Sequence, residues 1–171
     1  MTQSKLNEDI KLDAIDYSIL GELQKNAHIK RNELAEKIGL SLPSTIDRIY
    51  KLENYGYINS YTAVLNHKKL HFDITGFIFV VSESSKHYTN FIEHCQNTKE
   101  ILECHSITGE GSHVLKIRTE NTTTLEKLLS KIQSWQGVKS TRTSIVLSTL
   151  KETLNLDIHY TNGTKGNYNF N

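Results

Sequence analysis

Two short stretches carry residue types that hold metal ions. "EHC" at 93–95 and "ECH" at 103–105 bring His94, Cys95, Cys104 and His105 within a dozen positions, a set that invites a zinc reading. The spacing argues against it. Neighbours on a strand point to opposite faces, so Cys104 and His105 cannot easily reach one ion, and a helical Cys95 is a small packing residue. No phosphate loop, nucleophile elbow, paired-carboxylate site or Ser/His/Asp triad is recognisable. The expectation is a protein with no catalytic residue, no metal and no cofactor.

A second set has the chemistry of nucleic-acid contact. Ser41, Ser44, Thr45, Asp47, Arg48 and Lys51 stand in "GLSLPSTIDRIYKL" on one helical face. Arg48 suits a guanine edge or a phosphate, Lys51 a phosphate, and Ser44 and Thr45 are short enough to let a helix approach bases closely. Asp47 either repels phosphate or accepts from a cytosine amino group. The bland alternative for such a face is a solvated surface.

What precedes the helix decides between them. Asp13 to Lys25 carries Ile15, Ile19, Leu20 and Leu23 at helical spacing, with acids at its start. "IKRNELAEKIGL" is a shorter helix stopped at Gly39, which can take a left-handed conformation. Ser41 then caps a third helix, Pro43 is tolerated in its first turn, and Ile46, Ile49 and Leu52 form its buried stripe until Gly56. "YGYINSYTAVLN" follows as a two-stranded wing turning at Asn59-Ser60. Two helices meeting through a tight turn, with a wing behind, make a helix-turn-helix whose third helix can lie in a major groove of double-stranded DNA.

The second half changes period to β-α-β-β-α-β, the order of a ferredoxin-like domain. Its strands are "FDITGFIFVVSE", "ILECHSITG", "SHVLKIRT" and "VKSTRTSIVLSTLK", and its helices "HYTNFIEHCQ" and "TTLEKLLSKIQSW". The expected organisation is α+β: a winged helix-turn-helix domain over residues 1–66, a ferredoxin-like domain over 67–154, and a polar tail over 155–171 that is loose at its end.

Composition narrows the partners. With 171 residues, 37% hydrophobic and 23% charged, the chain is that of a globular protein, and no apolar run nears the roughly 20 residues that span a bilayer. Its N-terminus lacks a signal-peptide pattern, and two unpaired cysteines suit a reducing cytoplasm. The net charge is +1, and residues 1–70 hold ten Lys+Arg against nine Asp+Glu, so bulk charge identifies no partner.

From "LDAIDYSILGELQKNAHIKRNELAEKIGLSLPSTIDRIYKLENYGYINSYTAVLN" the chain resembles the DNA-binding half of the leucine-responsive regulatory protein (Lrp/AsnC) family of transcription regulators. "ILECHSITGEG", "VLKIRT", "LLSKI" and "GVKSTRTSIVL" extend the resemblance to about residues 10–154. It implies a sequence-specific regulator whose ferredoxin-like domain forms homodimers by sheet pairing, assembles further to an octamer, and binds a small effector, often an amino acid, between dimers. Long apolar strands agree, since exposed they would be an aggregation hazard.

The resemblance places effector contacts at the turn between the middle strands, Gly109, Glu110, Gly111, Ser112 and His113, and on the last strand, Thr141, Thr143, Ser144 and Val146. The glycines fit. Ser112 and His113 stand where the family usually has Asp and Tyr, so the anionic partner of a ligand ammonium is missing. Either Glu110 substitutes, the ligand differs, or none binds. A second reading within the same architecture is a siroheme-decarboxylase-like enzyme that recruits His113 and Arg118; a third is an architectural DNA-binding protein without ligand.

Overall fold

The computed structural model describes residues 10–160 except Glu110. The described residues form two compact units, 10–63 with 153–160, and 64–152.

The N-terminal unit holds three helices, α1 (Ala14–Lys25), α2 (Arg31–Ile38) and α3 (Leu42–Asn54). Asp13 caps α1 in a capping box: its carboxylate accepts from the Asp16 amide, and the Asp16 carboxylate accepts from the Asp13 amide. Gly39 ends α2 at φ 70°, a left-handed conformation that only glycine adopts at little cost. Ser41 caps α3 by accepting from the Ser44 amide, and Pro43 sits in the first turn. Ile19, Leu23, Ile29, Leu34, Ile49 and Leu52 close the core between the three helices.

Two expectations need correction here. The buried stripe of α3 is Thr45, Ile49 and Leu52, with Ile46 only half-buried, so Thr45 takes the inward place expected for Ile46 while Ile49 and Leu52 keep theirs. Thr45 tolerates burial because its hydroxyl donates to the Ser41 carbonyl at 3.0 Å, which leaves its methyl group to pack. The two-stranded wing is also not formed: among the described residues no strand or ladder occurs between α3 and residue 74. Among the described residues no second strand lies opposite residues 57–66, so their backbone has no ladder partner there. Side chains hold the segment instead. The Tyr61 hydroxyl donates to Glu53 of α3 at 2.9 Å, and the Arg31 guanidinium of α2 lies over the Tyr61 ring at 5.9 Å.

The described part of the tail meets α1. Gln24 donates to the Leu156 carbonyl at 3.1 Å and accepts from the Leu156 amide at 2.7 Å, and Tyr160 rests on Tyr17 with ring centroids 5.7 Å apart. The expected looseness of residues 161–171 lies outside the described residues.

The second unit is β1 (Ile74–Ser82), α4 (Tyr88–Gln96), β2 (Ile101–Ser106), β3 (His113–Thr119), α5 (Thr122–Gln133) and β4 (Val138–Ile145). The sheet is antiparallel with strand order β2-β3-β1-β4, the arrangement that βαββαβ connectivity produces. Alternation decides its two faces. Ile78, Val80, Leu115 and Ile117 pack under Phe91, Cys95, Leu125, Leu128, Ile132 and Trp135 of the helices and the turn after α5. The opposite face carries Phe77, Phe79 and Val81, beside Lys116 and Arg118, which reach Glu152, with Lys116 also on Glu103.

Candidate DNA-binding face and ligand cavity

The third helix offers solvent a definite set of side chains. Ser44, Asp47, Tyr50, Lys51 and Asn54 are exposed at helical spacing, behind the exposed Ser41 cap. Tyr50, 60% exposed, is the member that sequence reasoning missed; its signal is the spacing Pro43, Asp47, Tyr50, Asn54, which puts it on the outward face once Thr45 is known to be inside. Two members of the expected set behave differently. Thr45 is fully buried and cannot reach a base.

Arg48 is occupied inside the unit. Its Nη1 donates to both carboxylate oxygens of Asp13, at 2.9 and 2.8 Å, and to Asp16 Oδ1 at 2.7 Å. Asp16 is 2% exposed and Arg48 29%, so the guanidinium closes over a buried carboxylate. The Asp16 amide first, and then the Arg48 guanidinium, hold Asp13 below the usual carboxylate range against the opposing effect of burial. Arg48 thus ties α3 to the start of α1, and the Nη1 expected to face DNA is taken up inside the unit.

In the second unit, the turn between β2 and β3 packs against the end of β1. The Ser112 amide donates to the Val80 carbonyl at 2.8 Å and the Ile107 amide to the Ser112 carbonyl at 3.0 Å. Gly111 is at φ 142° with the Val80 carbonyl 3.1 Å from where a Cβ would stand, so a side chain there meets both strain and backbone. Gly109, at φ 101°, has open space around it.

Behind this turn, on the helix-covered side, lies a cleft of about 390 Å³. Tyr88, Phe91 and Ile107 give it apolar wall, and Ser82, Ser106 and Ser112 give it hydroxyls. No Asp, Glu, Lys or Arg lines it among the described residues. His113, 4% exposed, stands at its edge with ring centroids 4.6 Å from Phe91 and 5.6 Å from Tyr88. His113 Nδ1 is 2.9 Å from Ser112 Oγ, while Nε2 is buried and without a hydrogen-bond partner. Burial pushes the His113 pKa down, which keeps the ring neutral near pH 7.

The remaining residues expected at an effector site are dispersed in one chain. Thr141 pairs with Val80, which pairs with His113, so these three share one row, and Thr141 accepts from Gln133 of α5 at 3.1 Å. Thr143 is one step further along the same face, opposite Ile78. Ser144 is opposite Phe77 on the other face, and the Val146 amide donates to the Thr75 carbonyl. Within the chain, neither Thr143, Ser144 nor Val146 lines the cleft. Glu110 lies outside the described residues.

The two other constellations come apart. His113 and Arg118 begin and nearly end β3 on opposite faces, about 17 Å apart along the strand; Arg118 donates to Thr75 at 3.2 Å and faces Glu152. They cannot jointly hold a tetrapyrrole carboxylate. Cys104 turns inward opposite Leu115, near the buried Cys95, while His105 faces the other way and meets Glu103 at 3.3 Å. Among the described residues no three His, Cys, Asp or Glu groups converge on a metal position.

A helix-turn-helix unit with an outward polar face, joined in sequence to a ferredoxin-like unit with a cleft, defines a two-unit class of DNA-binding protein. Comparison with known proteins agrees for both halves. Residues 12–59 match the family model described as winged helix-turn-helix DNA-binding, and residues 75–156 match the Lrp/AsnC ligand binding domain. The leucine-responsive regulatory proteins of Klebsiella pneumoniae and of Escherichia coli strain K12 are each 34% identical over 161 residues, covering 92% of this chain and 98% of theirs. The chain belongs to the Lrp/AsnC family of transcription regulators.

Solved structures carry the same architecture. A transcriptional regulator from Neisseria meningitidis in complex with L-Met superposes with TM-score 0.81 at 28% identity, over 85% of this chain and 96% of that one. AsnC of E. coli gives 0.78 at 28%, over 84% and 97%. LrpC of B. subtilis gives 0.75 at 31%, over 83% and 99%. No helix among the described residues is long and apolar enough to cross a membrane.

Proposed function

We propose that this regulator reads double-stranded DNA with Ser41, Ser44, Asp47, Tyr50 and Lys51 of α3, while Arg48 and Thr45 hold that helix in its pose. The observation that carries the reading is the outward face of a capped helix fixed to α1 by the Arg48–Asp16 pair. Lys51 neutralises a phosphate, Ser44 and Asp47 are within reach of base edges at the helix start, and Tyr50 packs on the sugar-phosphate wall. Titrating a duplex at several salt concentrations tests it. Lys51→Ala lowers the slope of log affinity against log salt by about 1 for each phosphate that Lys51 neutralises.

The open sheet face, with Phe77, Phe79 and Val81 partly exposed, supports homodimerisation through that face. Assembly of dimers to an octamer, an amino-acid effector bound in the C-terminal unit, a boundary near residues 63–66, and residence in the cytoplasm belong to the same reading. The Neisseria relative solved with L-Met supports the effector. Ligand binding that changes either assembly or DNA affinity is then a coupling between two sites, and measuring DNA affinity with and without each apolar amino acid exposes it.

A further inference from the structure

Residues 153–160 follow the last strand of the sheet in sequence yet pack within the N-terminal unit, and the contact that fastens them is specific. Gln24 meets Leu156 with both ends of its carboxamide: Nε2 donates to the Leu156 carbonyl at 3.1 Å, and Oε1 accepts from the Leu156 amide at 2.7 Å. A side chain here does what a neighbouring strand would do, pairing a backbone N–H and C=O together. Further along, Tyr160 rests on Tyr17 with ring centroids 5.7 Å apart. The two contacts are in register. Tyr17 and Gln24 share a face of α1 about 10.5 Å apart along its axis, and the extended chain from Leu156 to Tyr160 reaches about 13 Å. The tail therefore runs antiparallel to α1.

The tail is also held just before it reaches α1. Glu152 meets Lys116 at 2.7 Å and Arg118 at 3.6 Å within the C-terminal unit. Only Thr153, Leu154 and Asn155 separate the two fastenings, and the Asn155 amide donates to the Thr153 hydroxyl at 3.1 Å, which takes up slack. The other stretch that joins the units, 57–66, has no ladder partner among the described residues. Inside the N-terminal unit, α1 is fixed to α3 by Arg48 on Asp13 and Asp16, so a restraint on α1 is a restraint on the helix offered to DNA.

We propose that the face of α1 carrying Tyr17 and Gln24 is a docking surface for the chain's own C-terminal tail, and that the docked tail is a second tether that sets which half-site spacing a dimer accepts. The inference rests on the reading that α3 contacts DNA in a homodimer. A single tether of unpaired chain lets each α3 follow a displaced half-site, and a second, short tether does not. Engagement of the second half-site is intramolecular, and its effective concentration is highest when the tether matches the span. Gln24 and Tyr17 are positioning residues that act through the tail.

Titration of the full chain with a duplex it selects from a random pool, and with the same duplex lengthened between its half-sites, tests the proposal. The wild type should lose about tenfold or more in affinity when about 5 bp, half a helical turn, are inserted. Gln24→Ala removes both hydrogen bonds and suits a helix, while Leu156→Pro removes the amide from the other side at a residue whose side chain is 72% exposed. Each variant should bind the original duplex about three- to tenfold more weakly and lose less than about threefold on insertion. The double variant should go no further than either single one, because both break one contact. Affinity for a single half-site should be unchanged in all of them, which a merely destabilised unit would not show. Two variants on opposite sides of the contact keep the test open where one fails to fold. The wild-type spacing profile in the folded variants, or a wild type that binds every spacing alike, overturns this proposal and leaves the DNA reading intact. A half-site loss as large as the loss on the full duplex also overturns it. No selected duplex at all overturns the DNA reading and this proposal with it.

Discussion

Arg48 Nη1 and Asp16 Oδ1 meet at 2.7 Å across the α1–α3 contact, and the carboxylate in that pair is 2% exposed. The helix offered to DNA is therefore oriented by a charge pair rooted in the capping box of another helix. Removing the guanidinium leaves a buried carboxylate without its partner. Solvent reaches Arg48, which is 29% exposed, so the cost falls from the several kcal/mol of a fully buried pair to about 2 kcal/mol. Arg48→Ala and Asp16→Asn should each lower the denaturation midpoint, and the double variant should be less destabilised than their sum by about 1 kcal/mol or more. Additive effects would mean that the pair does not act as a unit.

Burial of His113 makes stability depend on pH in a defined direction. Its folded pKa lies below the ordinary 6.5, so between the two values the unfolded chain binds more protons than the folded one. Stability of the C-terminal unit is full above about pH 6.5 and falls as pH drops through the folded value. Chemical denaturation across that range should show the loss, and His113→Phe should flatten it. Asp13, Glu103 and Glu152, all held below their ordinary values by amide or lysine partners, add a separate decline at more acidic pH.

Gly137 closes the cleft at the start of β4. It has φ 87°, and a Cβ there would lie 2.6 Å from His87 Cβ. Gly137→Ala combines backbone strain with a clash and should cost about 2 kcal/mol or more, whereas Gly109→Ala, in open space, should cost only the strain of about 1 kcal/mol. Paired melting curves decide. Equal losses would remove the His87 contact from the account.

Phe77 is 37% exposed on the open face of the sheet, next to Phe79 and opposite Lys116 and Ser144. Phe77→Asp places a charge where the proposed dimer buries an apolar surface and should shift the protein toward monomer with little change in the melting of the monomeric unit. Sedimentation velocity over a concentration series reads the shift. A wild-type chain that stays monomeric at all concentrations would remove the interface.

Much of this was legible in the sequence because local signals agreed with the tertiary fold. Asp13, Gly39, Ser41 and Pro43 mark helix ends by their own chemistry, and the change from helical to alternating period separates the two halves. What escaped was decided by partners distant in sequence. Thr45 and Ile46 both fit a helical stripe, and only the hydroxyl contact with the Ser41 carbonyl lets the less apolar residue go inside. Arg48 has the chemistry of a base reader, and nothing near it in sequence shows that Asp13 and Asp16, 35 and 32 positions away, will claim it. The β-rich stretch after α3 has strand residues but, among the described residues, no strand to pair with. The oddity of Ser112 and His113 was visible; that they form one hydrogen-bonded unit with Ser82 required the register of β1 and β3.

Selection of bound duplexes from a random pool measures most directly whether the exposed face of α3 reads DNA sequence. The wild-type chain should enrich a two-fold symmetric motif with half-sites one helical turn or a multiple apart, about 10 bp or its multiples. A folded variant carrying alanine at Ser44, Asp47, Tyr50 and Lys51 should enrich none. No enriched motif from the wild type, or the same motif from the variant, would contradict the account.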